Sequence, residues 1–598
     1  MCGITGITSK IENKEEVIRR MTDIIAHRGP DDDGFHTDEY AALGMRRLAI
    51  IDLVHGDQPI TTSDSRYKIF FNGEIYNYRE LKSQIPNYEF QTESDTEVIL
   101  AGYAKWGPEV LNRLRGMFAF CIYDTREKTV FLARDFFGIK PLYYLVSGES
   151  LIAFASEIKA FLELPNFEPE VNDAAAVNFL SYQYNPLEET FFKNIFKLPP
   201  AYYMTIDLKT GKWDKKRYWQ FEFAQDGKLN EEETKEKILE TMRDSVAHHM
   251  IADVPVGSFL SGGIDSSIIA TLMGSKTKTF TVTFGSVSEG LEAKQTAEPL
   301  GTDHREISVG PEEYFGALEK AVWHFDEPVA DPSAIGLYFL AREARKHVKV
   351  VLSGEGADEL FGGYNIYLAP LAADKLRWLP KFILRFLSAL PLRGSNYAKR
   401  ALQKLEDWYI GNASVFQPAE IAKLWRGSPI SRATLDILYW EAKGLSDSTK
   451  MQYIDINTWL VGDILAKADK MTMAHSLELR VPFLDSSVAS LASKLSDKFK
   501  WRNGETKYLL REAFKSILPE STRKRKKLGF PTPVGSWLGQ DQFDKISENE
   551  YIKSHFSIVE VKKLFKEPKV NARKIYLLLM LALWYNVFIE NSKLKTEN

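Results

Sequence analysis

The chain has 598 residues, too many for one hydrophobic core, so we expect two or more domains. A net charge of −4 gives no reason to expect nucleic acid or a membrane as partner, and two cysteines, Cys2 and Cys121, argue against a disulfide framework and for a reducing compartment, the cytoplasm. The N-terminus has no signal-peptide pattern, and the apolar stretch from Ile575 to Trp584 is too short to span a bilayer.

Cys2 becomes the first residue once Met1 is removed, and it then carries both a thiol and a free α-amine. The pKa of such an amine is ordinarily about 7.7–8.0 and that of the thiol about 8.5. The amine can therefore take the thiol proton near neutral pH, so that one residue supplies a nucleophile and its base. An unrelated early cysteine is the alternative. Cys121 lies in an apolar run and is expected to be a buried core thiol.

Short polar motifs that follow could complete a site around this cysteine. Arg47 opens a predicted strand, Asn72-Gly73-Glu74 ends another, and Asp95 lies in the N-cap sequence of a predicted helix. The Asn72 amide and the Gly73 N–H could hold an oxyanion, whereas Arg47 could bind a carboxylate. Glu74 and Asp95 could bind an ammonium group. Together these groups suit the head group of glutamine, although each motif alone also fits a strand end, a turn or a cap.

Five motifs resemble, in order, those of the N-terminal-nucleophile glutaminase domain of class II glutamine amidotransferases: Met-Cys-Gly-Ile at 1–4, His-Arg-Gly-Pro-Asp at 27–31, Arg-Leu-Ala-Ile-Ile-Asp at 47–52, Asn-Gly-Glu-Ile-Tyr-Asn at 72–77 and Ser-Asp-Thr-Glu at 94–97. The resemblance covers about residues 2–200 and implies a four-layer αββα fold. We place this domain at 2–205 and a linker at 206–234, where the chain becomes polar and acidic.

From residue 235 to 598 helical and strand patterns alternate, which predicts a doubly wound parallel sheet. A predicted strand at 254–260 leads into Ser261-Gly262-Gly263-Ile264-Asp265-Ser266-Ser267 and then a helix, an arrangement typical of an anion site. No lysine follows the glycines, so the loop is not a Walker A motif. Asp265 would repel phosphate unless Mg²⁺ lies between them. An ordinary glycine turn is the alternative.

A second predicted strand, at 348–352, ends in an acidic glycine loop, Ser353-Gly354-Glu355-Gly356-Ala357-Asp358-Glu359. Ligands of open α/β sheets bind at the carboxyl ends of strands, so Asp265 and Asp358 could share Mg²⁺; a capped helix start is the other interpretation of Asp358. The end of the strand at 279–284 could bind adenine. The predicted ATP contacts are Leu260, Ser261, Gly262, Gly263, Asp265, Ser266, Val282, Ser353 and Gly354.

Two later segments complete the domain. Residues 364–431 are predicted as a helical insertion without a chemical role. The run from Arg523 to Lys527 holds five adjacent cations, which fits a solvated loop. Near a nucleotide, one of these lysines could instead stabilise charge on the phosphorus or on the tetrahedral adduct.

Four runs resemble the ATP-pyrophosphatase half of glutamine-dependent asparagine synthetases: SGGIDSS at 261–267, LSGEGADELFGGY at 352–364, ADKMTMAHSLELRVPFLD at 468–485 and KKLGFPTP at 526–533. With the N-terminal half, the resemblance covers nearly the whole chain. It implies ATP with Mg²⁺, amidation of aspartate through an acyl-adenylate, an internal ammonia tunnel and a possible homodimer. It also implies a catalytic role for Lys527 and a position for Glu355 beside the acyl-adenylate.

Two rival functions remain at this point. The same chemistry could amidate another carboxylate, such as that of a cell-wall precursor, because the glutamine and nucleotide motifs would be unchanged. A non-catalytic relative is the second rival, and the intact Cys2, Asp265, Asp358 and Lys527 argue against it. Cys2 also argues against relatives such as β-lactam synthetase, which close a ring without ammonia.

Overall fold

The structure is a computed structural model that describes residues 2–285, 290–391, 394–427, 432–524 and 532–590. Its described strands form two six-stranded antiparallel sheets from the first part of the chain and one five-stranded parallel sheet from the second. We call the part of the chain that builds the first two sheets the glutaminase half, after the resemblance described above. The part that builds the third sheet is called the synthetase half.

The first two sheets lie face to face. Buried side chains from β1 and β3 of one sheet pack against those from β5, β6 and β7 of the other, and helices α1 and α3 cover the outer faces. This is the predicted four-layer αββα fold. The first sheet has the order β10-β8-β9-β1-β3-β2 and the second β12-β11-β7-β6-β5-β4. The strands are β1 Gly3–Ile7, β2 Asp32–Thr37, β3 Ala42–Arg47, β4 Ile60–Thr61, β5 Tyr67–Ile75, β6 Gly116–Asp124, β7 Thr129–Arg134, β8 Tyr143–Ser147, β9 Ser150–Ala155, β10 Ile195–Lys197, β11 Tyr202–Asp207 and β12 Trp213–Arg217.

The third sheet is parallel throughout, with the order β15-β14-β13-β16-β17. Its strands are β13 Val256–Phe259, β14 Lys278–Thr283, β15 Asp303–Ser308, β16 Val350–Leu352 and β17 Glu478–Arg480. The strand order reverses between β13 and β16, so the loops that follow these two strands are neighbours. Ligands bind in the crevice at such a switch point. The doubly wound α/β fold is confirmed, and strand β12 lies inside the range predicted as a linker.

The α-helices of the described residues are α1 Lys14–Asp23, α2 Tyr78–Ser83, α3 Asp95–Trp106, α4 Asp173–Tyr182, α5 Glu231–His249, α6 Ile264–Met273, α7 Gly290–Leu300, α8 Pro311–Gly316, α9 Leu318–Phe325, α10 Ser333–Ala344, α11 Ala357–Phe361, α12 Leu368–Asp374, α13 Lys381–Ala389, α14 Ser395–Ala401, α15 Pro418–Leu424, α16 Ala433–Glu441, α17 Asp447–Asn457, α18 Ala466–Met473, α19 Ser486–Ser493, α20 Asp497–Lys500, α21 Tyr508–Ala513, α22 Glu520–Lys524, α23 Val534–Trp537, α24 Gln540–Glu548, α25 Glu550–His555, α26 Ile558–Leu564 and α27 Ala572–Tyr585. Helices α12 to α15 lie in the segment predicted as a helical insertion. Helices α12 and α16 share a small core with α17 that includes Leu368, Leu438 and Ile454.

The apolar C-terminal segment is longer than the sequence pattern suggested, because α27 continues as a π-helical segment, Asn586–Glu590. By length and composition the whole helix, Ala572–Glu590, could cross a bilayer. However, 72 % of the most apolar stretch of this helix is buried inside the protein. There Trp584 packs against Phe191 and Phe192 of the glutaminase half. That degree of burial is typical of a core helix.

Candidate functional sites

The first candidate site surrounds Cys2, which immediately precedes the buried strand β1. The Cys2 nitrogen donates a hydrogen bond to the side-chain oxygen Oδ1 of Asn72, 3.1 Å away. This bond orients the amide, so its other atom, Nδ2, is buried without a hydrogen-bond partner in the described structure. Burial raises the pKa of the Cys2 thiol. The thiol therefore needs a local base, and Asn72 has a free donor for an oxyanion.

A small cavity at this position brings together the residues predicted to bind glutamine. Cys2, Arg47, Gly73, Glu74 and Asp95 all line it. A β-carbon on Gly73 would lie 2.1 Å from a backbone oxygen of β6, so this close approach requires glycine. The structure thus places the five residues around one cavity, and their roles in binding remain predictions.

Arg47 is the last residue of β3, not the first of a strand as the sequence pattern suggested. Its guanidinium donates to Asp57 Oδ1 at 2.5 Å and to the Asp52 carbonyl at 2.6 Å. The Asp57 side chain is 63 % exposed, so the carboxylate of an entering ligand could replace it. Such an exchange needs no unpaired buried charge, because one carboxylate takes the place of another.

The two predicted ammonium-binding carboxylates are held differently. Asp95 begins helix α3, and its Oδ2 accepts a hydrogen bond from the Ile75 N–H at 2.8 Å. Burial raises the Asp95 pKa to about 6 and also raises the Glu74 pKa well above its usual range. Two buried carboxylates with raised pKa values favour a cationic ligand, since its charge would stabilise their ionised forms.

The synthetase half supplies two residues to this site that the sequence did not identify. Glu478 of β17 lines the cavity, and Arg480 on the same strand donates to Glu74 Oε2 at 2.8 Å. Both side chains are fully buried. Glu478 and Arg480 lie more than 400 residues after Glu74 in the chain, so no local pattern could reveal the contact.

The second candidate site is a cavity of about 250 Å³ at the switch point of the parallel sheet. Its lining includes most of the residues predicted for ATP, namely Leu260, Ser261, Asp265, Ser266, Val282, Ser353 and Gly354, together with Glu355 and Asp358. Gly263 is the N-cap of helix α6, and the remaining predicted residue, Gly262, is buried beside it. The two loops pack so closely that a β-carbon on Gly354 would lie 2.9 Å from the Asp265 β-carbon.

The acidic pair is brought together by a lysine that the sequence did not identify. Lys507 Nζ lies 2.6 Å from both carboxylate oxygens of Asp265 and 2.7 Å from Asp358 Oδ1. Burial alone would lower the Lys507 pKa, but Asp265 and Asp358 more than offset this, so the pKa is raised. Two carboxylates that share one cation, beside the glycine loop at 261–267, are suitable ligands for Mg²⁺. The described residues therefore fit the predicted metal.

Glu355 lines the second cavity together with another lysine that the sequence did not identify, Lys467. Its carboxyl group is buried, which raises its pKa. Lys467, on α18, lines the same cavity and forms an ion pair with Asp331. Lys527 lies outside the described residues, so its predicted role is neither supported nor opposed by geometry.

A buried thiol in an αββα fold and a glycine loop on a doubly wound parallel sheet occur in one chain, and the family models that match the chain divide it in the same way. The chain belongs to the asparagine synthase family. The family model described as Asparagine synthase matches residues 237–586, and the Glutamine amidotransferase domain model matches residues 1–219.

Curated relatives align with this chain over nearly its full length. A Bacillus subtilis (strain 168) protein named glutamine-hydrolyzing asparagine synthetase 1 is 42 % identical over 100 % of this chain and 98 % of its own length. A Mycobacterium tuberculosis (strain H37Rv) protein named putative glutamine-hydrolyzing asparagine synthetase is 40 % identical over 96 % of this chain and 94 % of its own. A second Bacillus subtilis protein, asparagine synthetase 3, is 28 % identical over 98 % of this chain.

Proposed function

We propose that this chain is a glutamine-hydrolysing asparagine synthetase, which converts aspartate, glutamine and ATP into asparagine, glutamate, AMP and pyrophosphate. One observation supports this most directly: one chain holds a thiol cavity built mainly from the glutaminase half and a second cavity beside the 261–267 loop of the synthetase half. The relatives with this name share the full length of the chain. The reducing environment that a free N-terminal thiol requires fits a cytoplasmic enzyme.

In the first half-reaction the Cys2 thiolate attacks the side-chain carbonyl carbon of glutamine. The proton passes to the α-amine of the same residue and then to the leaving nitrogen, so ammonia departs and a thioester forms. Asn72 Nδ2, which is buried without a partner in the described structure, and the Gly73 N–H are placed to stabilise the oxyanion. Water then hydrolyses the thioester and releases glutamate.

In the second half-reaction a carboxylate oxygen of aspartate attacks the α-phosphorus of ATP, and pyrophosphate leaves. The amides and hydroxyls of the 261–267 loop, at the N-terminus of α6, would hold the departing phosphates. Asp265 and Asp358 would bind Mg²⁺, which supplies positive charge to the phosphate oxygens when it is bound. Ammonia then attacks the acyl carbon, and AMP leaves.

An acceptor screen tests the proposed substrate. With ATP, Mg²⁺ and glutamine present, we expect aspartate to stimulate pyrophosphate release, with one asparagine formed for each pyrophosphate. Glutamate and diaminopimelate are the control acceptors, because each offers a carboxylate at a different distance from its ammonium group. Faster pyrophosphate release with another acceptor than with aspartate would show that the enzyme amidates that other carboxylate.

Lys527→Ala tests the only proposed catalytic residue outside the described structure. An ammonium beside the phosphate or the adduct in a water-poor site contributes as much as an oxyanion donor, so kcat for synthesis at saturating ammonia should fall by about 10²–10³. Lys526→Ala is the matched control and should be near wild type, because only Lys527 has the spacing to Gly529-Phe530 that the family resemblance implies. Equal rates of synthesis in the two variants would show that the assignment of Lys527 is wrong.

A further inference from the structure

Strand β17 belongs to the synthetase half, but the side chain of Arg480 reaches the glutamine site. Its Nη2 donates to Glu74 Oε2 at 2.8 Å, and its Nε donates to Glu478 Oε1 at 2.6 Å. Nη1 donates to the backbone carbonyls of His249 and Ile251 at 2.8 and 2.6 Å. All three guanidinium nitrogens are therefore engaged, and the group has no room to reorient alone.

The backbone of the same residue contacts the nucleotide loop. The Arg480 carbonyl accepts a hydrogen bond from the Ser353 N–H at 2.9 Å, and Ser353 lines the nucleotide cavity. This bond continues the parallel pairing of β16 with β17, in which Leu352 lies opposite Arg480. One residue thus joins the proposed ammonium-binding carboxylate, Glu74, to the loop proposed to contact ATP.

We propose that Arg480 is a positioning residue that couples occupancy of the nucleotide cavity to the affinity for glutamine. When the 353–359 loop adjusts to a nucleotide, its hydrogen bond shifts the Arg480 backbone, and the fully engaged guanidinium moves Glu74 with it. Because linkage is reciprocal, glutamine must change the affinity for nucleotide by the same factor. The inference rests on the proposed function, in which Glu74 binds the ammonium group of glutamine.

The test compares the glutamine KM for glutamate release with and without saturating ATP and Mg²⁺. Wild-type protein should show a change of at least about 5-fold, the lower end of usual coupling factors. Arg480→Lys keeps one charge but loses the planar fork that reaches Glu74 and Glu478 together, so the ratio of the two KM values should fall to about 1. Thermal unfolding checks that the variant is folded, and Glu478→Gln replaces it in the test if it is not.

Arg115→Lys is the matched control. Arg115 also joins the two halves, with Nε 2.8 Å from Asp485 Oδ2 and Nη2 2.6 Å from Asp244 Oδ2, but it lines neither candidate cavity. It should keep the wild-type ratio. No effect of ATP in the wild type, or equal ratios in the two arginine variants, would overturn the coupling. By contrast, an unchanged glutamine KM in Glu74→Gln would refute the proposed glutamine site itself.

A second surface, on the helical insertion, carries an independent inference. Phe382 and Phe386 lie one turn apart on helix α13 and are 72 % and 65 % exposed, and Trp378, just before the helix, is 79 % exposed. Residues four apart share one face of a helix. Leu384 on the opposite side is only 2 % exposed and anchors the helix to the protein. We call the exposed side chains of Phe382 and Phe386, with Trp378 in the preceding turn, the aromatic face.

The segment that carries the aromatic face is strongly basic, although the chain as a whole is slightly acidic. Between residues 375 and 404 no Asp or Glu occurs, and the basic residues are Lys375, Arg377, Lys381, Arg385, Arg393, Lys399, Arg400 and Lys404. Arg377 pairs with Asp374 and Asp447. Lys381, Arg385 and Lys399 are exposed, and within the described ranges no salt bridge to them is found.

We infer that the aromatic face docks on an anionic membrane surface. A basic helix with exposed aromatic side chains has the pattern of interfacial helices, whose rings enter the headgroup region while cations meet anionic lipids. A second copy of the chain fits less well, because the two basic segments would repel each other. The net charge of −4 for the whole chain, which predicts no membrane partner, hides the concentration of positive charge in this segment.

Co-sedimentation with vesicles tests the docking. Binding to vesicles that contain phosphatidylglycerol should be weakened by salt and should be lost with phosphatidylcholine alone. Phe382→Glu with Phe386→Glu should reduce binding by about 10-fold or more. The matched control is Val559→Glu with Val570→Glu, at positions that are 66 % and 77 % exposed.

Three results would overturn this inference. They are no binding of the wild type to the anionic vesicles, equal binding of the two double variants, and a wild-type dimer that the phenylalanine variant alone dissociates. The last result would show that a second copy covers the aromatic face.

Discussion

Cys2→Ala should abolish asparagine synthesis from glutamine while synthesis from ammonia continues. Cys2 lies in the glutaminase half, and in the proposed scheme its thiol takes part in amide hydrolysis alone. The nucleotide cavity is built from residues of the other half and keeps its lining in the variant. Asparagine formation with each nitrogen source, measured on the same preparation, checks the prediction.

Cys121→Ala is the matched control, because Cys121 is a buried thiol in β6 that does not line the Cys2 cavity. It should retain synthesis from both nitrogen sources. Protein that keeps Met1 should behave like Cys2→Ala, since its Cys2 nitrogen is an amide that cannot accept a proton. Equal loss of activity with glutamine and ammonia in Cys2→Ala would contradict the separation into two sites.

The sequence was sufficient to predict which side chains lie close together where their positions follow from local pattern and strand topology. Asp265 and Asp358 each follow a short apolar strand, and parallel strands place their carboxyl ends at one edge of a sheet. The structure indeed brings both carboxylates to one lysine. The predicted end of a strand at Asn72-Gly73 was wrong, because β5 continues to Ile75 and pairs with β6 throughout, although Asn72 does lie beside Cys2.

The residues that sequence reasoning missed depend on packing between distant segments. Lys507 reaches Asp265 across 242 positions, and Arg480 reaches Glu74 across 406. A lysine or arginine in a sequence is most often solvated, so burial beside two carboxylates cannot be read from composition or periodicity. The available signal was indirect: Glu478 and Arg480 stand inside one of the runs that carried the family resemblance, but nothing local assigned them a role.

Asp265→Asn should remove synthesis with either nitrogen source and leave basal glutamine hydrolysis intact. Asparagine keeps the shape of the side chain but loses the charge that would bind Mg²⁺ beside the leaving pyrophosphate. A metal contributes several kcal/mol to such a transition state, so pyrophosphate release should fall on the order of 10²–10³. Measurement of pyrophosphate at saturating ammonia, with glutamate release measured in parallel, checks both halves of the prediction.

The fold should survive this change, because Lys507 keeps its contact with Asp358 at 2.7 Å and its buried charge stays paired. Asp303→Asn is the matched control: Asp303 begins the edge strand β15 of the same sheet, is about half exposed and lines neither candidate cavity. It should release pyrophosphate at the wild-type rate. Normal pyrophosphate release in Asp265→Asn would refute the metal assignment. Loss of glutamate release as well would mean that this carboxylate stabilises the fold of the whole chain rather than serving one site.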